Sequence, residues 1–187
     1  MPTSSSRKLV ILDRDGVINV DSDAYIKSPD EWIAIPGSLE AIARLNQAGY
    51  RIAVATNQSG IGRGLFDMAA LNAMHAKMHR LAAAVGGRID AVFFCPHTAQ
   101  DHCDCRKPKP GMLKTIAERF EIDPEETAVV GDSLRDLQAG AALGFRTHLV
   151  RTGKGEKTLA AGGLPEGTQV HTDLRGFALD FLASEPA

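Results

Sequence analysis

Short apolar runs alternate with amphipathic segments along this chain, and this alternation restricts the fold more than any other feature. The strand-like runs cover residues 9–12, 51–55, 91–94, 127–130 and 147–150. The helix-like segments cover 37–47, 67–85, 110–120 and 134–143, and 168–171 and 173–182 predict a last edge strand and a closing helix. This order indicates an α/β protein with a doubly wound parallel sheet. Residues 153–167, rich in Gly, Lys and Glu, predict a surface loop.

Polar side chains follow four of the predicted strands. In chain order they are Asp13 and Asp15, residues 56–60, Arg106 and Lys107, and Asp132 and Asp136. Ligands of doubly wound sheets bind beyond the carboxyl ends of the strands. The sequence therefore predicts one functional site at this edge of the sheet.

The pair Asp13 and Asp15 directly follows the first apolar run. Two carboxylates this close repel each other, and a hard divalent cation such as Mg²⁺ would hold them together. Asp13 is a candidate nucleophile toward phosphorus, and Asp15 is a candidate acid and base for the leaving group and water. Asp132 and the backbone carbonyl of Asp15 are further candidate ligands of Mg²⁺. The alternative is a loop that begins with two solvated carboxylates.

Phosphoryl transfer also needs donors for the phosphate oxygens. Thr56 offers a hydroxyl, Asn57 an amide and Lys107 a positive charge, and residues 58–62 offer backbone N–H groups at a helix start. Each has an ordinary alternative, since Thr56 suits a helix cap and Lys107 suits a solvated surface.

The three cysteines of the chain and one histidine lie within eleven residues. Cys95, His97, Cys103 and Cys105 supply three thiolates and one imidazole, which suits a closed tetrahedral Zn²⁺ site of structural type. Because Arg106 and Lys107 follow directly, zinc would fix the loop of residues 95–105 and orient the lysine. The alternative is three reduced thiols with an exposed histidine. Among the other histidines, we expect His102, His75 and His79 to be exposed and His148 to lie in the sheet.

Length and charge exclude several functions. At 187 residues and 44% hydrophobic content, the chain predicts one domain over 1–187, with 1–7 as a flexible N-terminal tail. The net charge of −2 and the absence of a basic stripe argue against nucleic acid as a partner. No run approaches the ~18 apolar residues of a membrane helix. We expect a cytoplasmic monomer that contacts neither nucleic acid nor membrane.

The motifs taken together resemble those of the haloacid dehalogenase-type phosphatase superfamily. They are Asp13-x-Asp15, Thr56, Lys107, and Gly131-Asp132 with Asp136, in that order. The resemblance implies a Rossmann-like fold with only small cap insertions, catalysis with Mg²⁺ and a structural Zn²⁺.

The resemblance also assigns roles to single residues. It implies a nucleophile at Asp13, the acid and base at Asp15, and catalytic support from Thr56 and Lys107. It implies Mg²⁺ ligands at Asp13, Asp15 and Asp132. The implied substrate contacts are Asn19, Asp21, Ser22, Asn57, Gln58, Ser59, Arg106 and Ser133.

A narrower resemblance, over residues 12–19, 56–64, 105–112 and 150–154, is to heptose bisphosphate phosphatases of this superfamily. It implies a small phosphorylated sugar as substrate and removal of its 7-phosphate, in nucleotide-heptose and lipopolysaccharide precursor synthesis. A histidinol-phosphate phosphatase is the alternative, because only five residues separate His97 from Cys103 and because position 133 is Ser. An alternative of another class is a receiver-like signalling module, which holds its phosphoryl group instead of releasing it.

Overall fold

The structure is a computed structural model, and it describes residues 8–185. Its six strands are β1 (Leu9–Leu12), β2 (Arg51–Asn57), β3 (Ala91–Cys95), β4 (Thr127–Gly131), β5 (Arg146–Val150) and β6 (Gln169–His171). They form one parallel sheet in the order β3-β2-β1-β4-β5-β6. Leu12 at the end of β1 pairs with Val54 of β2 and Val130 of β4, so these strands end at a common edge.

Helices cover both faces of the sheet, which confirms the doubly wound prediction. They are α1 (Ser38–Gln47), α2 (Ser59–Gly62), α3 (Met68–Ala84), α4 (Gly111–Phe120), α5 (Leu134–Ala141), α6 (Gly155–Ala161) and α7 (Leu174–Ser184). Alternate residues of β1 serve the two layers: Val10 and Leu12 pack with α1, α3 and α7, whereas Leu9 and Ile11 pack with α4 and α5. This double burial explains why the strands consist of nearly continuous apolar residues.

Three strands extend beyond their predicted ends. β2 continues to Asn57, β3 to Cys95 and β4 to Gly131. Thr56 and Asn57 are therefore strand residues, and their side chains are fixed by the sheet instead of a loop. The 1–7 tail lies outside the described residues, and the single domain over 1–187 stays a prediction.

The prediction of a surface loop over 153–167 is wrong for residues 155–161, which form α6, whereas residues 162–167 contain neither helix nor strand. Gly155 at its start lies so close to the main chain of β5 that a Cβ would meet the carbonyl oxygen of Val150 at 1.8 Å. Thr158 of α6 donates a hydrogen bond to the carbonyl oxygen of Asp132 at 2.8 Å. Tertiary contacts thus stabilise a seven-residue helix that is too short to be stable by itself.

The prediction of a surface position is also wrong for His75. His75 lies on the buried face of α3 together with Leu71, Met74 and Met78. That face repeats with helical spacing, so position 75 belongs to it by the same period that places the neighbouring apolar residues. His79 and His102 are exposed, and His148 lies in β5, as predicted.

A chain of two histidines and one carboxylate connects β5, β6 and α7. Nδ1 of His148 lies 3.1 Å from Nε2 of His171, whose Nδ1 lies 2.8 Å from Oδ2 of Asp180. If His171 donates to Asp180, its Nε2 accepts from His148, and Nε2 of His148 is left as a buried acceptor without a partner. Burial, followed by the nearby His171 and Arg146, lowers the pKa of His148 from 6.5 to about 3.

We expect His148 to make the protein less stable in weak acid. Because its pKa is about 3 in the folded state, the unfolded chain binds one more proton below about pH 6.5. The free energy of unfolding then falls by up to about 1.4 kcal/mol per pH unit as the pH decreases from about 6.5 toward 3. Urea unfolding at pH 7 and pH 5 should show a smaller loss of stability in His148→Leu than in the parent protein. The exposed His79→Leu should follow the parent, and equal losses in all three proteins would contradict the prediction.

Candidate active site

The strand ends bring three carboxylates together. Asp13 directly follows β1, Asp132 directly follows β4, and Asp136 lies in the first turn of α5. One oxygen from each lies within 4.8 Å of the others. Asp132 and Asp136 are buried. The register of β1 with β4 therefore creates a strongly anionic point at the carboxyl edge of the sheet.

Lys107 lies beside this cluster and connects two of its members. Its Nζ is 3.1 Å from Oδ1 of Asp13 and 2.7 Å from Oδ1 of Asp136, and it donates to the carbonyl oxygen of Ala55. The side chain of Asn57 holds the Lys107 backbone through two hydrogen bonds of 3.1 Å, one donated and one accepted. Asn57 therefore positions the lysine from the end of β2.

A local helix cap sets the orientation of Asp136. The backbone N–H and the hydroxyl of Ser133 both donate to Oδ2 of Asp136, as in a capping box at the start of α5. Its Oδ1 remains for Lys107. Ser133 thus contributes to the site through Asp136 as well as by lining the cleft.

Burial and the neighbouring charges shift the pKa values of these groups. Burial and then the charge of Asp136 raise the pKa of Asp132 to about 7. Burial and Asp136 also raise the pKa of Asp13 well above its ordinary value, although Lys107 opposes the shift. Burial disfavours the charged form of Lys107, but the carboxylates of Asp13 and Asp136 outweigh it and raise its pKa. The cluster carries more negative charge than one ammonium can balance.

Two glycines form a cradle around Asp132. A Cβ on Gly16 would come 2.1 Å from Oδ2 of Asp132, and one on Gly153 would come 2.3 Å from the same atom. The backbone N–H of Lys154 donates to that oxygen at 2.8 Å, and the hydroxyl of Thr152 donates to the carbonyl oxygen of Gly16 at 2.7 Å. The segment 152–154 therefore fixes Asp132, a role that the sequence did not predict.

The donor set fits Mg²⁺. Hard carboxylate oxygens from several elements converge on one point, and the charge of Asp136 adds to the effect of burial in raising the pKa values of Asp13 and Asp132. Asp13 and Asp132 agree with the predicted ligands. Asp15 does not belong to the carboxylate cluster, so its predicted contribution rests on its backbone carbonyl.

Asp15 is held by donors on both of its oxygens. Oδ1 accepts two hydrogen bonds from Arg14 and one from Asn19, and Oδ2 accepts one from Nε2 of Gln58 at 2.9 Å. The same Gln58 nitrogen lies 2.8 Å from Oγ1 of Thr56. The side chains of Asn19 and Gln58 therefore contact the predicted acid.

Most of the predicted site residues line one cleft. These are Asp13, Asp15, Asp21, Ser22, Asn57, Gln58, Ser59, Arg106, Lys107, Asp132 and Ser133. Thr56 and Asn19 are buried beside it. Sequence reasoning missed six further lining residues, which are Asp23, Tyr25, Ile26, Arg63, Arg135 and Lys154. Asp23, Tyr25 and Ile26 are loop residues without a motif and carry little signal, whereas Arg63 and Lys154 lie in stretches that carried the family resemblance.

The cysteines and His97 form a second cluster beside the cleft. Sγ of Cys95 lies 3.0 Å from Sγ of Cys105 and 3.6 Å from Sγ of Cys103, and Nδ1 of His97 lies 3.3 Å from Sγ of Cys105. Thiolates around a tetrahedral zinc ion lie about 3.7 Å apart, given a Zn–S distance of about 2.3 Å. Three sulfur atoms and one nitrogen atom so grouped fit zinc. The chain runs from Cys105 directly into Arg106 and Lys107.

The cradle around Asp132 yields a prediction for metal binding. Gly16→Ala places a Cβ against Asp132, so we expect the dissociation constant for Mg²⁺ to rise about 10- to 100-fold, as when residues that support metal ligands are lost. Gly49→Ala is the matched control, because Gly49 has a similar positive φ but nothing within 4 Å of the added Cβ. Calorimetric titration with Mg²⁺ measures both variants. Equal affinities in the two variants would contradict the prediction.

Comparisons with known proteins agree with this geometry. The chain is 62% identical to D-glycero-beta-D-manno-heptose-1,7-bisphosphate 7-phosphatase of Bordetella bronchiseptica, over 94% of this chain and 98% of that protein. It is 57% identical to the protein of the same name from Pseudomonas aeruginosa, over 95% and 99% of the two chains.

Solved structures show the same architecture. The crystal structure of the D,D-heptose 1,7-bisphosphate phosphatase from B. bronchiseptica complexed with magnesium and phosphate has a TM-score of 0.93 and 61% identity, covering 95% of this chain and 99% of that one. The phosphatase of the same name from Burkholderia thailandensis is 73% identical with a TM-score of 0.77, over the same shares of the two chains. The model of haloacid dehalogenase-like hydrolases matches residues 6–144. The chain therefore belongs to the haloacid dehalogenase-like hydrolase family.

Proposed function

We propose that this protein removes the 7-phosphate of D-glycero-β-D-manno-heptose 1,7-bisphosphate in a Mg²⁺-dependent reaction, as a step of nucleotide-heptose and lipopolysaccharide precursor synthesis. The observation that carries the proposal is the cluster of Asp13, Lys107, Asp132 and Asp136, with Asp15 beside it in the same cleft. The relatives named for this substrate match the chain nearly end to end, which supports the choice of sugar.

The first step is phosphoryl transfer to Asp13. A carboxylate oxygen of Asp13 attacks the phosphorus atom, a P–O bond to the carboxylate forms, and the P–O bond to O7 of the sugar breaks. Asp15 gives its proton to the departing O7. Lys107 keeps Asp13 in place through Oδ1. The products are the heptose 1-phosphate and a phosphorylated Asp13.

The second step regenerates the enzyme. Asp15, now a carboxylate, accepts a proton from a water molecule as that water attacks the phosphorus atom. The bond between phosphorus and Asp13 breaks, inorganic phosphate leaves, and Asp15 again holds a proton. One proton thus moves from Asp15 to the sugar and returns from water, so the cycle balances.

Mg²⁺ held by Asp13, Asp132 and the backbone carbonyl of Asp15 would supply positive charge to the phosphate oxygens. The residues of the chain supply the rest. Thr56, Asn57 and Lys107 are the proposed donors to the transferred phosphate. Arg106, Ser59, Ser133 and the flap residues Asn19, Asp21 and Ser22 are the proposed contacts to the remainder of the sugar. Arg63, Arg135 and Lys154 add positive charge to the cleft, which suits a substrate with a second phosphate.

We also propose that Cys95, His97, Cys103 and Cys105 bind a structural Zn²⁺ ion. Four ligands leave no open coordination position, so this ion would fix the loop instead of taking part in the reaction. Its consequence for function is indirect, because the loop ends at Arg106 and Lys107.

Two further statements stay predictions, namely that the protein is a monomer and that it is cytoplasmic. Among residues 8–185, no helix combines the length and the apolar composition that crossing a bilayer requires.

The proposed reaction is tested with Asp13→Asn. The amide cannot act as the nucleophile, so we expect phosphate release from the heptose bisphosphate to fall below detection, by at least about 10⁴-fold. The parent protein is assayed in parallel with both anomers of the bisphosphate and with histidinol phosphate, with and without Mg²⁺. A higher kcat/KM for the β-anomer supports the proposal, and a preference for histidinol phosphate overturns the substrate assignment. Stoichiometric phosphorylation without turnover would indicate a receiver-like module.

The zinc proposal is tested with Cys105→Ser. Loss of one thiolate should remove bound zinc and lower kcat, because the segment that leads into Lys107 is no longer fixed. Metal analysis of the purified protein measures the zinc. His102→Ala is the control, since His102 is an exposed imidazole of the same loop outside the cluster. Full zinc content in Cys105→Ser, or its loss in His102→Ala, would contradict the assignment.

A further inference from the structure

A buried arginine connects the proposed acid to helix α3. Arg14 lies between Asp13 and Asp15 in the sequence, yet its side chain has no exposed surface. Its Nε and Nη2 donate to Oδ1 of Asp15 at 3.0 and 2.9 Å. Burying a guanidinium is costly unless its charge is paired and its N–H groups have acceptors. The ion pair with Asp15 balances the charge of the guanidinium.

His75 of α3 supplies a second acceptor. Its Nε2 lies 3.2 Å from Nη1 of Arg14, and both side chains are buried. A guanidinium can only donate, so Nε2 must accept and the ring must carry its proton on Nδ1. Burial and the charge of Arg14 lower the pKa of His75 to about 4, which keeps the ring in this accepting form near neutral pH.

The two oxygens of Asp15 have unequal surroundings as a result. Oδ1 accepts from Nε and Nη2 of Arg14 and from Nδ2 of Asn19 at 2.9 Å, so its lone pairs are fully used. Oδ2 accepts only from Gln58 in the described structure. A proton on the carboxyl group is therefore confined to Oδ2, and Asp15 lines the cleft.

We propose that Arg14 and His75 are positioning residues for proton transfer: His75 fixes the plane of the Arg14 guanidinium, and Arg14 occupies Oδ1 of Asp15 so that Oδ2 serves the leaving group. This inference rests on the proposed phosphatase function, and it adds a helix residue outside the four motifs to the catalytic apparatus. Neither residue touches the substrate. Their effect is on the orientation of the acid, where a displacement of about 1 Å can cost about 100-fold in rate.

The test compares two phosphate esters that differ in their need for an acid. The sugar alkoxide is a poor leaving group and requires the proton of Asp15, whereas the phenolate of p-nitrophenyl phosphate leaves without one. For His75→Leu we expect kcat with the heptose bisphosphate to fall about 10- to 100-fold with KM within about 3-fold. With p-nitrophenyl phosphate, the single-turnover rate of p-nitrophenolate release, which reports phosphoryl transfer to Asp13 before Asp15 activates water, should change less than about 3-fold. A purely structural role would lower both rates by the same factor.

Two variants serve as controls. His75→Gln retains a side-chain acceptor and should recover most of the rate with the sugar substrate. His79→Leu replaces an exposed histidine one helical turn later and should match the parent with both esters. If His75→Leu does not fold, Arg14→Lys replaces it in the comparison: a lysine keeps the buried charge but cannot donate two bonds to one oxygen in a fixed plane, and the same selective loss is expected.

The outcomes separate the inference from the proposed function. Equal loss on both esters, or unchanged rates on both in a folded His75→Leu, overturns the positioning role and leaves the phosphatase assignment intact. Absence of turnover by the parent protein overturns the proposed function itself. Thermal unfolding of each variant confirms that the rates compare folded proteins.

Discussion

Charge balance at the carboxyl edge of the sheet is the constraint on which the site depends. Asp13, Asp132 and Asp136 each place one oxygen within 4.8 Å of the others, and Lys107 pairs with Asp13 and Asp136, so three ionised carboxylates would leave two negative charges uncompensated. Buried charges are tolerated only when they are paired or coordinate a metal. In the proposed reaction a divalent cation would supply the missing charge, and the strand ends of β1 and β4 would then depend on Mg²⁺. The proposed chemistry and the local stability would share one electrostatic cause.

Most of the fold could be predicted from the sequence, because the patterns that indicate its strands and helices are local. Apolar runs such as 51–55 and the helical stripe of α3 are short-range patterns, and Gly and Pro residues define the ends of several elements. Helix α6 lacked such a pattern. Its stability comes from Gly155 against the β5 main chain and from Thr158 bound to Asp132, contacts between residues that are distant in sequence. The prediction that His75 lies at the surface was wrong for another reason. The helical period that places Met74 and Met78 on the buried face of α3 also places His75 there.

The sequence predicted most residues of the candidate site but few of the contacts between them. The motifs identified Asp13, Lys107 and Asp132, because each follows a strand whose end the fold brings to one edge. The contacts of each side chain depend on how the loops are arranged in three dimensions, and the spacing of residues along the sequence does not encode that arrangement. Gln58 is an example: the motif placed it beside the substrate, whereas its amide lies against Asp15 and Thr56. The segment 152–154, which holds Asp132, likewise lies in a different loop, after a different strand. No sequence pattern indicates that contact.

The close approach of Gly16 and Gly153 has a wider consequence. A Cβ on Gly153 would come 2.5 Å from the Cα of Gly16, so the loops after β1 and β5 meet through bare main chain. Peptide planes are stiffer than side-chain torsions. The distance between the two loops is therefore set by contact between their main chains and does not depend on side-chain rotamers. Substitutions in the hydrophobic layers of the sheet leave this main-chain contact in place, whereas any side chain at Gly16 or Gly153 would push the two loops apart and displace Asp132.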